Sequence, residues 1–155
     1  MDKVYSREYE DNDYELLQDF NKVLKLTELG RCPENDATDA SGYTTDGRLI
    51  NIELKRRNIN IDTYKSIYIE SHKVGDMLLD YVCDKKIPLY INFLDNGYVV
   101  VYNLAELKTR PKKVVKNIYS KLYQGFEIAK REELYIKDAW IYQKNNDTYK
   151  LIHKP

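Results

Sequence analysis

The apolar residues between positions 13 and 29 recur every three or four residues, which is the spacing of one face of a helix. Asn12 is followed three residues later by Glu15, a pair typical of a helix-capping box, and Gly30 supplies a stop signal. The pattern therefore predicts a first helix over Asp13–Leu29.

Strict alternation of apolar and polar residues replaces this spacing over Arg48–Arg56, as expected for a strand with one buried face. A second extended segment, Thr38–Thr44, precedes it, and Asp46-Gly47 between them favours a tight turn. These segments predict a β-hairpin. A short apolar run predicts a third strand at Ile67–Ile69.

Helical spacing returns over Ser71–Asp84 and predicts a second helix with one apolar side. Pro88 then opens a strongly apolar strand, and Tyr98–Tyr102 returns antiparallel to it after a turn at Asp95–Gly97. The residues expected to be buried on the second helix are Val74, Met77, Leu78, Tyr81 and Val82.

The last third of the chain, residues 103–155, is interpreted as an addition to a core at about 13–102 within one domain, 1–155. A basic segment, residues 108–125, predicts a third helix, because Pro111 suits its first turn and Gly125 its end. A final β-hairpin is predicted in the tail. Alternation of helices and strands predicts the α/β class with a mixed sheet. The apolar side of the third helix comprises Val114, Val115, Ile118 and Leu122.

Composition narrows the class of protein. A chain of 155 residues, 43% of them hydrophobic, is expected to form one domain with its own core. The sequence shows no membrane-spanning stretch and no signal peptide, so we expect a cytoplasmic protein without membrane contact. Cys32 and Cys83 are too few for a disulfide framework or a zinc cluster, and the absence of a glycine-rich phosphate motif argues against a nucleotide cofactor.

Charge is unevenly distributed along the chain although the net charge is zero. Residues 1–46 hold 5 basic and 12 acidic side chains, whereas residues 47–155 hold 20 basic and 13 acidic ones. This asymmetry predicts an acidic region beside a basic surface. The alternative is a chance segregation that folding mixes again.

The predicted hairpin brings together groups that bind metal ions. Glu53 and Lys55 project from one strand face, and the carbonyl of Leu54 lies near both. If residues 45–47 form a three-residue loop, Asp39 lies directly opposite Glu53. Two carboxylates this close repel each other unless a cation lies between them, and Mg²⁺ commonly uses one or two carboxylates. Asp36 is a rival for the first carboxylate, and a one-residue slip would break the geometry.

At these residues the sequence resembles the PD-(D/E)xK nuclease superfamily, whose motif is an acidic residue on one strand followed by E-x-K or D-x-K on the next. The matching residues are Asp39 and Glu53-Leu54-Lys55, although Ala-Thr rather than the family's proline precedes Asp39. The restriction-endonuclease-like family core, αβββαβ, is the order predicted here for residues 13–102.

The resemblance implies that Asp39, Glu53 and the Leu54 carbonyl bind Mg²⁺ or Mn²⁺. It implies that Lys55 positions the attacking water or stabilises the transition state, in hydrolysis of a DNA phosphodiester that leaves a 5′-phosphate. Small single-domain members include Holliday-junction resolvases and virus-encoded recombination nucleases. Resolvases act as homodimers, because a four-way junction needs two symmetric cuts.

The family often adds an acidic residue from the first helix and a polar or basic residue from the second. Glu15 is the candidate for the first role, with helix capping as the alternative. Lys73 is the candidate for the second, with Glu70 and His72 beside it as alternatives.

Other basic residues are candidates for contact with the phosphate backbone, with solvated charge as the alternative for each. Arg56 and Arg57 directly follow Lys55. Tyr119 and Tyr123 accompany the lysines of the predicted third helix and are candidates for stacking on bases. Those lysines are Lys112, Lys113 and Lys116.

Two rival functions fit the same sequence. The first keeps the nuclease fold without catalysis, as a nucleic-acid-binding or protein-interaction accessory protein. The second is an interaction protein unrelated to nucleases, which the zero net charge favours. The presence of Asp39, Glu53 and Lys55 together favours the active nuclease over the first rival.

Overall fold

Two α-helices and ten strands make up the part of the chain that the computed structural model describes, residues 3–34, 36, 38–120 and 124–155. The helices are α1 (Lys3–Leu24) and α2 (Ser71–Asp84), and short 3₁₀ turns lie at Asp95–Gly97 and Ile136–Asp138. The strands are β1 (Thr27–Arg31), β2 (Ala40–Tyr43), β3 (Leu49–Arg56), β4 (Ser66–Glu70), β5 (Ile87–Phe93), β6 (Tyr98–Asn103), β7 (Lys112–Ser120), β8 (Gly125–Tyr135), β9 (Trp140–Asn145) and β10 (Thr148–His153).

Seven strands form a mixed sheet in the order β1-β2-β3-β5-β6-β9-β10. β3 and β5 run parallel, and the segment that contains β4 and α2 supplies the crossover that a parallel pair requires. The neighbouring pairs on either side are antiparallel. The predicted α/β class with a mixed sheet is therefore confirmed.

Each face of this sheet carries its own apolar core. Val99 and Val101 of β6 belong to the core that α1 covers with Leu17 and Phe20, whereas Tyr102 belongs to the core beneath α2. Alternate residues of a strand point to opposite faces, so the two helices cover opposite sides of the sheet. Burial of a side chain such as Phe20 stabilises the fold by roughly 1.5–3 kcal/mol.

The β2–β3 hairpin has the predicted register. Thr44 N–H donates to the Arg48 carbonyl at 2.8 Å, and Ala40 pairs with Ile52. Gly47 has a φ of 87°, a left-handed conformation that glycine adopts without strain and that a three-residue loop requires. The turn therefore fixes which residues of the two strands face each other.

The first helix begins and ends earlier than predicted. Because α1 starts at Lys3, the predicted capping pair Asn12 and Glu15 lies inside the helix rather than at its end. The helix ends at Leu24 because the Asn21 side chain bonds the backbone beyond it: Leu26 N–H donates to Asn21 Oδ1 at 2.9 Å, and Asn21 Nδ2 donates to the Leu26 carbonyl at 3.1 Å. The chain then forms β1, which sequence analysis did not predict.

The second helix has the predicted bounds, Ser71–Asp84, but only part of the predicted buried stripe. Val74 and Met77 are buried, and Leu78 packs against the same core. Tyr81 and Val82 were predicted to be buried, and this is wrong, because the core ends before the last turn and leaves Val82 77% exposed.

The predicted third helix is wrong, because residues 112–120 form β7 and residues 125–135 form β8. The two strands pair along nine residues and join β4 in a second sheet, β4-β8-β7. The β-branched residues Val114, Val115 and Ile118 favour a strand, and pairing with β8 overrides the helical spacing. Leu122 and Tyr123 lie outside the described residues. The predicted final hairpin is confirmed as β9 and β10.

Neither described α-helix combines the length and the apolar character needed to cross a membrane.

Candidate active site

Glu53 lies in the middle of the main sheet. β3 is flanked by β2 and β5, and Glu53 pairs with Tyr90 of β5. The Glu53 side chain is 4% exposed, which is unusual for a carboxylate, and Lys73 of α2 forms a hydrogen-bonded ion pair with its Oε1 atom. Lys73 reaches Glu53 because it lies in the first turn of α2, directly after β4.

Asp39 lies where the pairing of β2 and β3 ends. Its N–H donates to the Ile52 carbonyl at 2.9 Å, and its Oδ2 atom accepts a hydrogen bond from Leu54 N–H at 2.8 Å. The side chain is thus tied to the backbone of the residue after Glu53. The structure brings Asp39, Glu53, Leu54 and Lys55 together, as the hairpin register predicts.

Burial, and after it the negative charge of Asp39, raise the pKa of the Glu53 carboxyl to about 7, although Lys73 partly opposes the change. A carboxylate that resists ionisation in this way gains more from a bound cation than a solvated one does. Glu53 is therefore the most strongly perturbed carboxyl group of the site.

Of the acidic residues of α1, Glu10 and Asp13 line the site, and Glu15 does not. Asp13 Oδ1 is buried without a hydrogen bond among the described residues, and Arg56 Nε lies 3.7 Å away. Burial raises the pKa of Asp13, Arg56 opposes this effect, and the charge of Asp39 adds to it. Glu15 is exposed and lies outside the cleft.

Asp13, Asp39, Glu53 and Lys55 line a cleft of about 400 Å³, which we call the acidic cleft. Among the described residues it is lined by more carboxyl groups than cations. The carboxyl groups are Glu10, Asp13, Glu34, Asp36, Asp39 and Glu53, and the cations are Arg31, Lys55 and Lys73.

The acidic cleft fits a divalent cation. A cation would relieve the repulsion between Asp39 and Glu53, and a water bound to that cation would satisfy the buried Asp13 oxygen. Within the described ranges, no group of three or more His, Cys, Asp or Glu side chains could hold a metal ion. Mg²⁺ does not require such a cage, because it commonly combines one or two carboxylates with water and phosphate oxygens.

A second cavity, of about 160 Å³, is also lined by Glu53 and Lys73, and we call it the basic cavity. Both cavities share Glu53, Lys55 and Lys73 as lining residues. The other residues that line the basic cavity are Arg57, Tyr68, Ile69, Glu70, Tyr90 and Arg131.

The fold resembles that of a nuclease. Hjc, a Holliday junction resolvase from the archaeal hyperthermophile Archaeoglobus fulgidus, matches with a TM-score of 0.51 over 80% of this chain and 84% of that chain, at 10% sequence identity. The predicted restriction-endonuclease-like fold is therefore confirmed. No protein-family model matches the sequence, and a search of curated proteins gives no significant match. At this level of identity the likeness shows the fold alone, so function is argued from the site.

The predicted nucleic-acid-binding residues occupy different environments. Arg56 lies beside Asp13, one of the residues that line the acidic cleft, with its Nε atom 3.7 Å from Asp13 Oδ1. Arg57 forms hydrogen bonds within the protein. Its Nε donates to Asn92 Oδ1 at 3.0 Å, and its Nη2 donates to Tyr90 Oη at 2.8 Å. Contact of either arginine with a nucleic acid stays a prediction.

The predicted lysines lie on a strand, so they do not share one face. Lys112 and Lys116 are on the same face of β7, and Lys113 is on the opposite one. Lys116 Nζ lies 5.4 Å from the centre of the Tyr68 ring, which itself lines the basic cavity. Tyr119, predicted to stack on bases, packs edge-on against Phe126 of β8 with ring centres 5.5 Å apart.

Sequence analysis missed several residues that line the two cavities, among them Asp13 and Arg131. Asp13 was overlooked in favour of Glu15. Residues two apart lie on nearly opposite sides of a helix, so only one of these two can face the site. Arg131 reaches the basic cavity because β8 pairs with β4, and no local pattern predicts a pairing between segments some 60 residues apart.

Proposed function

We propose that this protein is a divalent-metal-dependent DNA nuclease that hydrolyses phosphodiester bonds. The observation that carries the proposal is the convergence of Asp39, buried Glu53, the Leu54 backbone and Lys55 in one acidic cleft of a restriction-endonuclease-like fold. Mg²⁺ or Mn²⁺ is the cofactor that suits this set of oxygen ligands.

Each residue has a distinct role in this proposal. Asp39, Glu53 and the Leu54 carbonyl would hold the ion, and the buried oxygen of Asp13 would accept a hydrogen bond from a water on that ion. The ion supplies Lewis acidity at the phosphate and lowers the pKa of water. Burial and the ion pair with Lys73 hold Glu53 in one position, so the ligands need little rearrangement before an ion binds.

Lys55 is exposed in the cleft beside these carboxylates, where its ammonium group orients the attacking water and stabilises charge on the phosphate oxygens. Water adds its oxygen to phosphorus, the bond from phosphorus to the 3′-oxygen breaks, and the departing 3′-oxygen takes up a proton. The products are a 3′-hydroxyl and a 5′-phosphate.

Branched DNA is the substrate that the fold comparison favours, since a solved structure with a similar fold is that of a Holliday junction resolvase. A symmetric four-way junction presents two equivalent bonds, and two copies of one active site are needed to cut both. The proposal therefore includes a homodimer on the substrate.

A cleavage assay with Mg²⁺ or Mn²⁺ tests the proposal on single-stranded, linear duplex, supercoiled and four-way-junction DNA. We expect wild type to cut the junction, and Lys55→Ala to lower the rate at least ~10²-fold through loss of transition-state stabilisation. Lys150→Ala is the matched control, because Lys150 is exposed on β10, at the far edge of the sheet from β2 and β3. Failure of wild type to cut any substrate, with normal folding and metal present, would contradict the proposal.

A further inference from the structure

The basic cavity combines four cations with two carboxylates, so its charge is the reverse of that in the acidic cleft. Lys55 lies on β3, Arg57 directly follows β3, and Lys73 lies on α2. Arg131 comes from β8, in the C-terminal addition. Glu53 and Glu70 are the carboxyl groups, and Glu53 is already paired with Lys73. A cavity with this excess of positive charge suits an anion.

Strand pairing places Arg131 at the cavity. Glu70, the last residue of β4, pairs with Arg131, and directly paired residues share one face of a sheet. Glu70 also leads directly into α2, which carries Lys73. The second sheet therefore places Arg131 at the end of β4 from which α2 and Lys73 continue.

Arg131 differs from Arg57 in the use of its guanidinium group. Arg57 donates hydrogen bonds to Asn92, Tyr90 and the Tyr68 carbonyl, so its guanidinium group is already bonded to neighbouring protein groups. Arg131 is half-buried, and no hydrogen bond or ion pair joins it to another side chain in the part of the chain that the structure describes. Glu70, its strand partner, makes no ion pair with Arg131 among the described residues, and its Oε2 atom lies 3.5 Å from His72 Nε2.

We infer that the basic cavity is a phosphate-binding site, and that Arg131 binds there a backbone phosphate next to the one that is cleaved. The planar guanidinium group presents two parallel donors to the oxygens of a phosphate. Glu53 and Lys55 line both cavities, so a phosphate in the basic cavity is adjacent to an ion in the acidic cleft. This inference rests on the proposed function, since it assumes that the substrate is a nucleic acid.

Affinity for junction DNA across a range of salt concentrations tests this role. Binding is measured by fluorescence anisotropy in EDTA, so that no cleavage occurs. The slope of log K against log salt is negative, and removal of one phosphate contact makes it less steep by about 0.9. We expect Arg131→Ala to show this change with a roughly tenfold loss of affinity, and Arg131→Lys to restore part of both.

Lys130→Ala is the control, because Lys130 is the exposed neighbour on β8 and projects from the opposite face. The inference predicts that this variant keeps the wild-type salt slope. Equal slopes for Arg131→Ala and wild type would overturn it, as would an absence of DNA binding by wild type. If Arg131→Ala does not fold, as judged by circular dichroism, the salt slope of Arg131→Gln is compared with those of Arg131→Lys and wild type instead.

Cleavage is measured separately, which keeps the inference and the proposed function distinguishable. DNA binding that depends on Arg131 without any cleavage by wild type would sustain the phosphate site and contradict the nuclease. Cleavage by wild type with an unchanged KM and salt slope in Arg131→Ala would sustain the nuclease and overturn the phosphate site.

Discussion

The acidic cleft and the basic cavity share a wall of three residues, yet they present opposite charge. The acidic cleft collects carboxyl groups from α1 and from the loop before β2, including Asp13 and Asp39. The basic cavity collects cations from later parts of the chain, including Lys73 and Arg131. The charge asymmetry of the sequence thus survives folding at this site. Hydrolysis of a phosphodiester needs both environments side by side, one for a cation and one for an anion.

Loss of a carboxylate from the acidic cleft has the largest expected effect. We predict that Asp39→Asn lowers the cleavage rate by ~10²–10³-fold, because a bound metal ion contributes several kcal/mol to the transition state. Steady-state cleavage of junction DNA measures this change. DNA binding in EDTA should stay within about twofold of wild type, since Asp39 does not line the basic cavity. Equal losses in Asp39→Asn and Arg131→Ala would remove the distinction between the two regions.

Metal binding should stabilise the protein through the acidic cleft alone. A ligand at 100 times its Kd stabilises the folded state by about 2.7 kcal/mol, which corresponds to a Tm increase of roughly 5–10 °C for a chain of this size. We predict this increase for wild type and for Arg131→Ala, and its loss in Asp39→Asn. Thermal melts with and without Mg²⁺ measure it, and a full increase in Asp39→Asn would contradict the assignment of the ion.

The raised pKa of Glu53 gives the metal-free protein a defined dependence on pH. Between its unfolded value of 4.5 and about 7, the folded state retains a proton that the unfolded state has lost. The free energy of unfolding therefore falls as pH rises through this range, by at most about 3 kcal/mol. Saturating Mg²⁺ should abolish the fall, because it favours the ionised carboxylate.

Urea unfolding from pH 4.5 to 8 in EDTA measures this slope, with Glu53→Gln as the comparison. The variant should lack the Glu53 contribution to the slope. Slopes rather than absolute stabilities are compared, since glutamine also removes the charge partner of Lys73. A wild-type slope identical to that of Glu53→Gln would show that Glu53 ionises normally.

Much of the acidic cleft is predictable from sequence, whereas much of the basic cavity is not. The relation of Asp39 to Glu53 follows from a short loop and from strand alternation, both of which are local. Lys73 follows from its place at the start of α2. Arg131 depends on the pairing of β4 with β8, and the segment before β8 has a helical spacing of apolar residues that conceals β7. Pairing with β8 makes this segment a strand although its apolar spacing favours a helix.

The smallest expected effect distinguishes Asp13 from Glu15, two acidic residues of α1. We predict that Asp13→Asn weakens Mg²⁺ binding about tenfold or less, because Asp13 lines the cleft and its buried oxygen lacks a hydrogen bond among the described residues. Glu15→Gln should leave Mg²⁺ affinity unchanged, since Glu15 is exposed outside the cleft. Isothermal titration measures both, and the reverse order would restore Glu15 as the residue of the site.

Crystallography of a product complex tests the central claim most directly. Wild-type protein would be crystallised with Mn²⁺ and a short 5′-phosphorylated DNA oligonucleotide, and the anomalous signal would locate the ion. The account predicts Mn²⁺ bound by Asp39, Glu53 and the Leu54 carbonyl in the acidic cleft, with a DNA phosphate on Arg131 in the basic cavity. An ion bound elsewhere, or DNA lying on a face that excludes both cavities, would contradict it.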